Sequence, residues 1–346
     1  MTKENRSRKN LVYWFNNYFL KRIHLYTSIG LIFFLTGGAL FPSLLPFLAS
    51  VYALLAYFCS IKEVATYTSR YQFTVVMLSA LLLGISVDAG LKTLPLLTLS
   101  MFCVAAGSTF RIAFFRFFGY TQHSWFEPLM FFVSLGLYLS GNIIHPSNWT
   151  GWVFPPVLIL FQGVLAWGII KDKKQLSSHT RGGYKIAIGK EAPEFTLPDQ
   201  DENMIQLNEF KDKRNLLLIF VRGDWCPGCH MMLRTYERER ARFQEKNILV
   251  MAIGPDPVGV NREMVLKLGL DFKVLADEGQ RTAMQYGVQL SEYDNDFAEK
   301  YEEGIPLPAS FLVDKKGIVQ YVSRPDKVGE FLDPRTIFPI VEKLNY

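Results

Sequence analysis

Two cysteines separated by two residues stand in the second half of the chain, within Arg222-Gly-Asp-Trp-Cys-Pro-Gly-Cys-His230. The segment follows a continuous apolar run from Leu216 to Val221 and precedes a stretch of helical periodicity. A thiolate at the start of a helix faces unpaired backbone N–H groups and the positive end of the helix dipole. Such a position lowers a cysteine pKa from about 8.5 into the range of roughly 3.5–7.5. The spacing therefore predicts thiol–disulfide chemistry, with Cys226 as the exposed nucleophile and Cys229 as the residue that resolves the mixed disulfide.

Two other chemistries use the same residue types. Cys226-Pro-Gly-Cys-His230 also satisfies C-x-x-C-H, the attachment signature of c-type haem, but that attachment is expected outside the cytoplasm, and a buried strand followed by Trp225 favours a redox dithiol. A zinc site would need two further ligands, which Cys59 and Cys103 cannot readily supply from apolar stretches. We therefore expect neither a metal nor a cofactor, and the reversible Cys226–Cys229 disulfide would itself be the redox centre.

The first half of the chain has the composition of a membrane domain. No Asp, Glu, Lys or Arg occurs from Ile23 to Ile61, and residues 117–170 contain only Glu127. A helix that spans a bilayer needs about 20 mostly apolar residues. Residues 1–170 are thus predicted to be an α-helical multi-pass membrane domain of about six spans. These spans are expected near residues 25–41, 44–61, 71–87, 93–110, 125–144 and 152–170.

The basic residues predict the orientation of these spans. They are Lys3, Arg6, Arg8, Lys9, Lys21 and Arg22 before the first span, Lys62 and Arg70 after the second, Arg111 and Arg116 after the fourth, and Lys171, Lys173, Lys174 and Arg181 after the sixth. The alternate connections contain only Lys92. Since loops rich in Lys and Arg stay in the cytoplasm, an even number of spans puts both termini there. An odd number of spans would instead put the C-terminal domain on the side of the membrane opposite the cytoplasm.

Cys59 and Cys103 fall within the apolar stretches. Membrane electron carriers pass reducing equivalents through two intramembrane cysteines, and Cys59 lies near the cytoplasmic end of its predicted helix. Cysteine is also a small hydrophobe that is often buried without a role. Nothing in the sequence brings the two within the bridging limit of about 7 Å, so the inert interpretation is favoured.

The second half alternates strand and helix signals after a polar, glycine-ended linker at 171–184. The strand signals are Leu216–Val221, Ile248–Ile253, Lys273–Ala276, Ala309–Val313 and Ile318–Ser323, and the helix signals are Pro227–Lys246, Arg262–Leu268, Gln280–Tyr286 and Pro334–Leu344. Strand–helix–strand units followed by a hairpin and a helix indicate a mixed α/β sheet. We therefore expect an α/β domain over residues 185–346.

Three segments of this half resemble the redoxin branch of the thioredoxin superfamily, which includes thioredoxins, their membrane-tethered relatives and AhpC/TSA peroxiredoxins. They are Gly189-Lys-Glu-Ala-Pro-Glu-Phe-Thr-Leu-Pro-Asp199, Trp225-Cys-Pro-Gly-Cys229 and Pro308-Ala-Ser-Phe-Leu-Val-Asp314. The resemblance implies a thioredoxin-like fold with Pro308 as a cis-proline beside the dithiol. It also implies a substrate groove that includes Trp225, Pro227, Leu307 and Pro308.

The resemblance implies two alternative activities. In peroxiredoxins with a Thr-Pro-Gly-Cys motif the last residue attacks the peroxide, which aligns Cys229 with the peroxidatic cysteine and Cys226 with the threonine. The arginine that supports that cysteine aligns with Pro308. Because both differences remove peroxide-binding groups, a thiol–disulfide oxidoreductase is favoured. A peroxidase or antioxidant enzyme with Cys229 as the peroxidatic cysteine is the alternative, and a redox-sensing membrane interaction protein is a third.

Proton transfer is the main departure from the thioredoxin pattern. Thioredoxins carry a buried acid six residues before the first cysteine, and Phe220 occupies that position here. Proton transfer from Cys229 must then use water or another group, for which Asp224 and His230 are the nearby candidates.

The expected partners follow from the two halves. A protein disulfide or a thiol reductant would react with the dithiol, a hydroperoxide would do so in the alternative, and the lipid bilayer would surround the spans. The formal net charge is +5, but its basic clusters adjoin apolar segments, which indicates membrane topology and gives no sign of nucleic-acid binding.

Overall fold

The computed structural model describes residues 45–67, 70–88, 95–118, 122–180, 184–290, 301–323, 334 and 337–344. The chain divides into two compact units. The described residues up to 115, together with 124–170, form the first unit, while residues 116–118, 122–123 and those from 171 onward form the second.

The first unit is helical. Its helices are α1 (Leu45–Tyr67), α2 (Arg70–Asp88), α3 (Leu96–Ala113), the short α4 (Phe115–Phe118) at its boundary, α5 (Phe126–Ile144) and α6 (Trp149–Thr180). Within the described ranges, the segments Leu96–Ala113, Phe126–Ile144 and Trp149–Ser177 are long and apolar enough to cross a membrane, and Phe47–Ile61 and Phe73–Asp88 are shorter apolar helices. A helix is thus present at each predicted span from the second to the sixth, while the first, near 25–41, lies outside the described residues.

The helix at the predicted sixth span continues into the segment that was expected to link the two halves. Helix α6 is 32 residues long and continues through these polar residues to Thr180. The composition of this stretch explains the continuation, because Lys171, Lys173, Lys174 and Gln175 are good helix formers and there is no Gly or Pro between residues 171 and 181. Leu176 of this extension is completely buried.

An ion pair joins two apolar helices of the first unit. Arg111 in the last turn of α3 donates to Glu127 in the first turn of α5 through both Nε and Nη2, the latter over 2.7 Å to Oε2. Glu127 is buried. A bidentate guanidinium–carboxylate pair offsets the cost of removing both charges from water, and it fixes the adjoining ends of α3 and α5.

A five-stranded mixed sheet forms the centre of the second unit. Its strands are β3 (Asn215–Phe220), β4 (Ile248–Gly254), β5 (Lys273–Ala276), β8 (Ala309–Val313) and β9 (Val319–Val322), in the order β5-β4-β3-β8-β9. Strands β4 and β5 continue parallel from β3, whereas β8 is antiparallel to β3 and β9 is antiparallel to β8. All residues of β3 are buried, as expected for a central strand.

Two small hairpins accompany this sheet. One pairs β1 (Thr196–Pro198) with β2 (Met204–Gln206), and the other pairs β6 (Gln289–Leu290) with β7 (Ile305–Pro306).

The helices of the second unit differ from the predicted ones in their ends. They are α7 (Pro227–Arg238), α8 (Arg240–Glu245), α9 (Val258–Leu268), α10 (Arg281–Tyr286) and α11 (Phe338–Leu344). The single helix predicted from Pro227 to Lys246 was wrong, because the backbone leaves helical geometry at Glu239 (φ −97°, ψ 5°). Helix α9 begins earlier than predicted, directly after Pro257, and ends at Gly269 in the left-handed region (φ 64°), a common helix terminator.

Candidate functional site

The two cysteines lie where the chain passes from β3 into α7. Cys226 is the N-cap of α7 and Pro227 is its first residue, where the fixed φ of proline suits a helix start. The Cys229 backbone N–H donates to Cys226 Sγ over 3.3 Å, and the two sulfurs are 2.8 Å apart with the Cys229 thiol donating. Both are free thiols. The arrangement holds the sulfurs close enough for a disulfide to form with little movement.

Burial of the sulfurs corrects one expectation. Cys226 was predicted to be exposed, but it is 0% exposed and Cys229 is 2% exposed. The physical reason is the tight turn before the helix, in which the Cys226 N–H donates to the Gly223 carbonyl oxygen over 3.1 Å. In the same turn, Trp225 Nε1 donates to the Arg222 carbonyl oxygen over 3.0 Å, so the segment folds back around the cysteines.

Arg222 places a positive charge beside the sulfurs. Burial raises the pKa of the Cys226 thiol, but the hydrogen bond from Cys229, the Arg222 charge and the Cys229 backbone N–H outweigh it, and the pKa lies well below the usual thiol value. Cys229 behaves in the opposite way, because burial and the adjacent Cys226 sulfur raise its pKa well above that value. The pair therefore combines a thiolate at Cys226 with a protonated thiol at Cys229.

The Arg222 side chain is itself held by two neighbours. Its Nη1 donates to Asp172 Oδ1 over 3.0 Å, and its guanidinium carbon lies 5.4 Å from the centroid of the Trp225 ring. Asp172 and Arg222 both belong to the second unit. The Arg222 backbone N–H also donates to Cys229 Sγ over 3.4 Å.

The two residues expected to transfer protons, Asp224 and His230, contact each other. His230 Nε2 lies 2.8 Å from Asp224 Oδ1, and Lys267 Nζ lies 3.4 Å from the same oxygen. Burial raises the Asp224 pKa, but the hydrogen bond and charge of His230, with the charge of Lys267, hold it below the ordinary carboxyl value. His230 is buried, and its Nδ1 has no hydrogen-bond partner within the part of the chain that the structure describes.

Sequence reasoning missed Asp256 and Tyr301. Asp256 is completely buried; its Oδ2 accepts the Asp224 backbone N–H over 2.6 Å, and its Oδ1 accepts the Tyr301 hydroxyl over 2.6 Å. Asp256 comes two residues after β4, which is parallel to β3. Because the carboxyl ends of parallel strands meet at one edge of a sheet, this position was a signal that could have revealed Asp256. Tyr301 adjoins no predicted strand or helix in the sequence and carries no such signal.

The Tyr301 and Asp256 side chains contact the turn before α7 at Gly223. Its φ of +120° belongs to the region that favours glycine, and a Cβ atom there would lie 2.3 Å from the Tyr301 hydroxyl oxygen and 2.9 Å from Asp256 Oδ2. Any side chain at this position would therefore displace Tyr301 or Asp256.

Two other residues that were expected to line a substrate groove, Leu307 and Pro308, lie at the same end of the sheet. Leu307 and Pro308 are buried and directly precede β8, whose Ala309 pairs with Phe220 at the end of β3. The expectation that Pro308 follows a cis peptide bond was wrong, since no described residue has one. The trans form is the ordinary state of an X-Pro bond, favoured by about 0.5–1 kcal/mol.

Phe220, in the position where a buried acid was sought, is part of an aromatic cluster. Its ring centroid lies 5.2 Å from that of Tyr286 and 5.7 Å from that of Phe311.

The other two cysteines lie in the helical unit. Cys59 is exposed on α1 and Cys103 is partly buried on α3, both as free thiols. Across the described ranges, no three His, Cys, Asp or Glu side chains are grouped so that they could hold a metal ion.

Comparison with known proteins identifies similar sequences for the second half. The model of the AhpC/TSA family matches residues 188–322. Thiol-disulfide oxidoreductase ResA of Bacillus cereus is 30% identical over 150 residues, which cover 43% of this chain and 76% of that protein. Chloroplastic peroxiredoxin Q of Oryza sativa subsp. japonica is 29% identical over 153 residues, which cover 43% of this chain and 66% of that protein. The chain thus spans slightly less than two thirds of the length of peroxiredoxin Q.

A solved structure aligns with the same half. The crystal structure of peroxidoxin BcpB from Mycobacterium tuberculosis is 18% identical, with a TM-score of 0.41, and the alignment covers 46% of this chain and 99% of that one.

Proposed function

This chain belongs to the AhpC/TSA family through the thioredoxin-like domain at residues 188–322, and from that premise we propose that it is a membrane-anchored thiol–disulfide oxidoreductase. Its redox centre is the Cys226–Cys229 pair. The reversible disulfide between them supplies the chemistry without a further cofactor. The 30% identity to ResA, whose name states this activity, supports the reaction class.

The observation that carries this proposal is the position of Cys226 at the N-cap of α7, where its Sγ accepts the Cys229 backbone N–H and lies 2.8 Å from Cys229 Sγ. The Cys226 thiolate attacks a substrate disulfide, R–S–S–R′, forms a mixed disulfide and expels R′–S⁻. Cys229 then loses its proton and attacks the Cys226 sulfur, so that the Cys226–Cys229 disulfide forms and R–S⁻ leaves. The substrate gains two electrons and the dithiol loses two, which a thiol reductant later restores.

Accessory roles follow from the neighbours of the sulfurs. Trp225, Pro227, Leu307 and Pro308 line the groove that receives the substrate disulfide, which would belong to a protein. Since Cys226 is buried, the substrate must displace some of the residues that cover the Cys226 sulfur before that sulfur can attack. Asp224 and His230 exchange protons with the leaving thiolate.

The membrane anchor is proposed from the apolar helices. Residues 1–170 form a domain of six spans, 171–184 connect it to the redox domain, and 185–346 form that domain. The three described helices that are long and apolar enough to cross a membrane support this arrangement. The distribution of Lys and Arg puts both termini in the cytoplasm, with the lipid bilayer as the partner of the first half.

A peroxidase is the second candidate, favoured by the 29% identity to peroxiredoxin Q. It would use Cys229 as the thiolate that attacks a hydroperoxide. The pKa of Cys229 is raised, and Pro308 offers no charge to support it, so this reaction is expected to be slow.

Two assays on the full-length protein in detergent separate the candidates. We expect reduction of insulin disulfides in the presence of dithiothreitol, and we expect Cys226→Ser and Cys229→Ser each to abolish it. Peroxide consumption is expected to be negligible. Rapid peroxide consumption that survives Cys226→Ser and disappears in Cys229→Ser, without insulin reduction, would instead establish the peroxidase.

A further inference from the structure

The Arg222 guanidinium is a positive charge that packs beside the dithiol. Its side chain is only 4% exposed, and its guanidinium carbon lies 5.4 Å from the ring centroid of Trp225, the residue directly before Cys226. The Arg222 backbone N–H donates to Cys229 Sγ over 3.4 Å. Because the Arg222 charge also lowers the Cys226 pKa, the position of this guanidinium bears on how readily Cys226 attacks.

A guanidinium that is removed from water needs a lasting anionic partner, because a buried charge is costly unless it is paired. The Cys226 thiolate cannot be that partner throughout the reaction, since it is consumed when a disulfide forms. The Trp225 ring attracts the cation only weakly. Asp172 meets the requirement, because Arg222 Nη1 donates to its Oδ1 over 3.0 Å. This charge-assisted hydrogen bond involves neither sulfur.

Asp172 belongs to the polar extension of α6, outside the segment that matches the AhpC/TSA family. The family model matches residues 188–322, whereas Asp172 lies in the same continuous helix as the apolar stretch that begins at Trp149. Leu176, one helical turn after Asp172, is completely buried, and Asp172 itself is 25% exposed. Since residues four apart lie on one face of a helix, Asp172 is on the packed face of this extension.

We propose that Asp172 is a positioning residue of the redox centre, which holds the Arg222 guanidinium against Trp225 from the end of α6. The inference rests on the proposed function, because it concerns the nucleophile of that reaction. Asp172 acts through Arg222 and takes no part in the exchange of electrons or protons. It keeps the guanidinium in place while the thiolate is absent, so that each return to the dithiol form again favours a thiolate at Cys226.

Replacing Asp172 with alanine tests this role, because alanine is the best helix former and keeps α6 helical. Without its carboxylate partner, the long Arg222 side chain should turn its charged end toward water. The reduced, full-length protein in detergent is alkylated with iodoacetamide from pH 4 to pH 10, and labelling of Cys226 is quantified by mass spectrometry. We expect the Cys226 midpoint to rise by about 0.5–1 pH unit, so that labelling at pH 4 slows about three- to tenfold.

A double substitution shows whether the effect passes through Arg222. In the Arg222→Gln protein, adding Asp172→Ala should leave the Cys226 midpoint where Arg222→Gln alone puts it, since no guanidinium remains to be held. The matched control is Asp271→Ala, which also removes a carboxylate partner of an arginine, Arg240, at an exposed position. This control should retain the wild-type midpoint.

The dithiol–disulfide equilibrium provides a second measurement on the same proteins. A less stable Cys226 thiolate makes the reduced form less stable, so Asp172→Ala should shift the equilibrium toward the disulfide by about three- to tenfold at pH 7. Quantifying the free thiols in defined ratios of reduced and oxidised dithiothreitol measures this shift. Neither measurement requires turnover, so a wild-type protein that does not reduce insulin would contradict the proposed function separately from this inference.

Three results would overturn the inference. An unchanged Cys226 midpoint in Asp172→Ala would mean that Arg222 keeps its place without the carboxylate. A lower midpoint would mean that Asp172 competes with the thiolate for the guanidinium. A rise of the same size in the Arg222→Gln protein, or in Asp271→Ala, would mean that the effect does not pass through Arg222.

Discussion

At the scale of single residues, Arg222 contacts the dithiol in two ways. Its positive charge favours the Cys226 thiolate, while its backbone N–H donates to Cys229 Sγ over 3.4 Å. A charge within about 4–6 Å shifts a pKa by one to three pH units. The two sulfurs, three residues apart on one helix turn, therefore differ in ionisation because of their neighbours.

Replacing Arg222 with glutamine should raise the Cys226 pKa, because burial then acts against the thiolate without the opposing charge. We expect the midpoint of Cys226 alkylation to move up by about one pH unit or more. Because the Cys226 pKa is about 5, a shift of one unit should lower the alkylation rate about tenfold at pH 4 and about twofold at pH 6. Iodoacetamide labelling of the reduced protein at several pH values measures this shift.

Arg262→Gln is the matched control, because Arg262 is a surface residue that bonds to Gln200 and Glu202. It should leave the midpoint unchanged. An unchanged midpoint in Arg222→Gln would mean that the helix N-terminus and Cys229 alone ionise Cys226.

At the scale of elements, hydrophobic pattern predicted the strands of the central sheet well. The buried run that became β3 (Asn215–Phe220) and the turn signal between β8 and β9 depend on local sequence. Helix ends were less predictable, since no Gly or Pro marks the break at Glu239 and α6 continues through polar residues that hydropathy excluded from the span. The dithiol was located from sequence because its motif is local. Tyr301 was not, because only the tertiary fold brings it from far along the chain to Gly223.

The extension of α6 beyond residue 170 is expected to contribute to the stability of the second unit. Leu176 is completely buried, so Leu176→Ala should lower the free energy of unfolding by about 2–5 kcal/mol. Urea titration of the full-length protein in detergent, followed by tryptophan fluorescence, tests this. Lys174→Ala, an exposed position on the same helix, should change it by less than about 0.5 kcal/mol. Equal effects of the two substitutions would mean that the segment is only a tether.

At the scale of the whole molecule, one chain combines an apolar helical unit with an α/β unit that contains the dithiol. Composition alone separated the two halves, because spans exclude charge and the α/β half does not. The number of spans was harder to obtain. The lengths of the almost uncharged stretches and the breaks within them suggested six, while three described helices meet the length and hydropathy needed to cross a membrane.

The proposed topology puts both termini in the cytoplasm, where thiols are kept reduced. In inverted membrane vesicles, a C-terminal epitope tag should be digested by added protease, and in intact cells it should be protected. An N-terminal tag should behave identically, since an even number of spans brings the ends to one side. Opposite behaviour of the two tags would require an odd number.

The ionisation of the two sulfurs is tested most directly by alkylating the reduced, full-length protein with iodoacetamide from pH 4 to pH 10 and quantifying each cysteine by mass spectrometry. Burial lowers the absolute alkylation rate of each cysteine, but the midpoint of each pH profile still reports the pKa of that thiol. We expect the Cys226 midpoint to lie well below 8.5 and the Cys229 midpoint above it. Equal midpoints near 8.5, or a lower midpoint for Cys229, would contradict the assignment of Cys226 as the nucleophile.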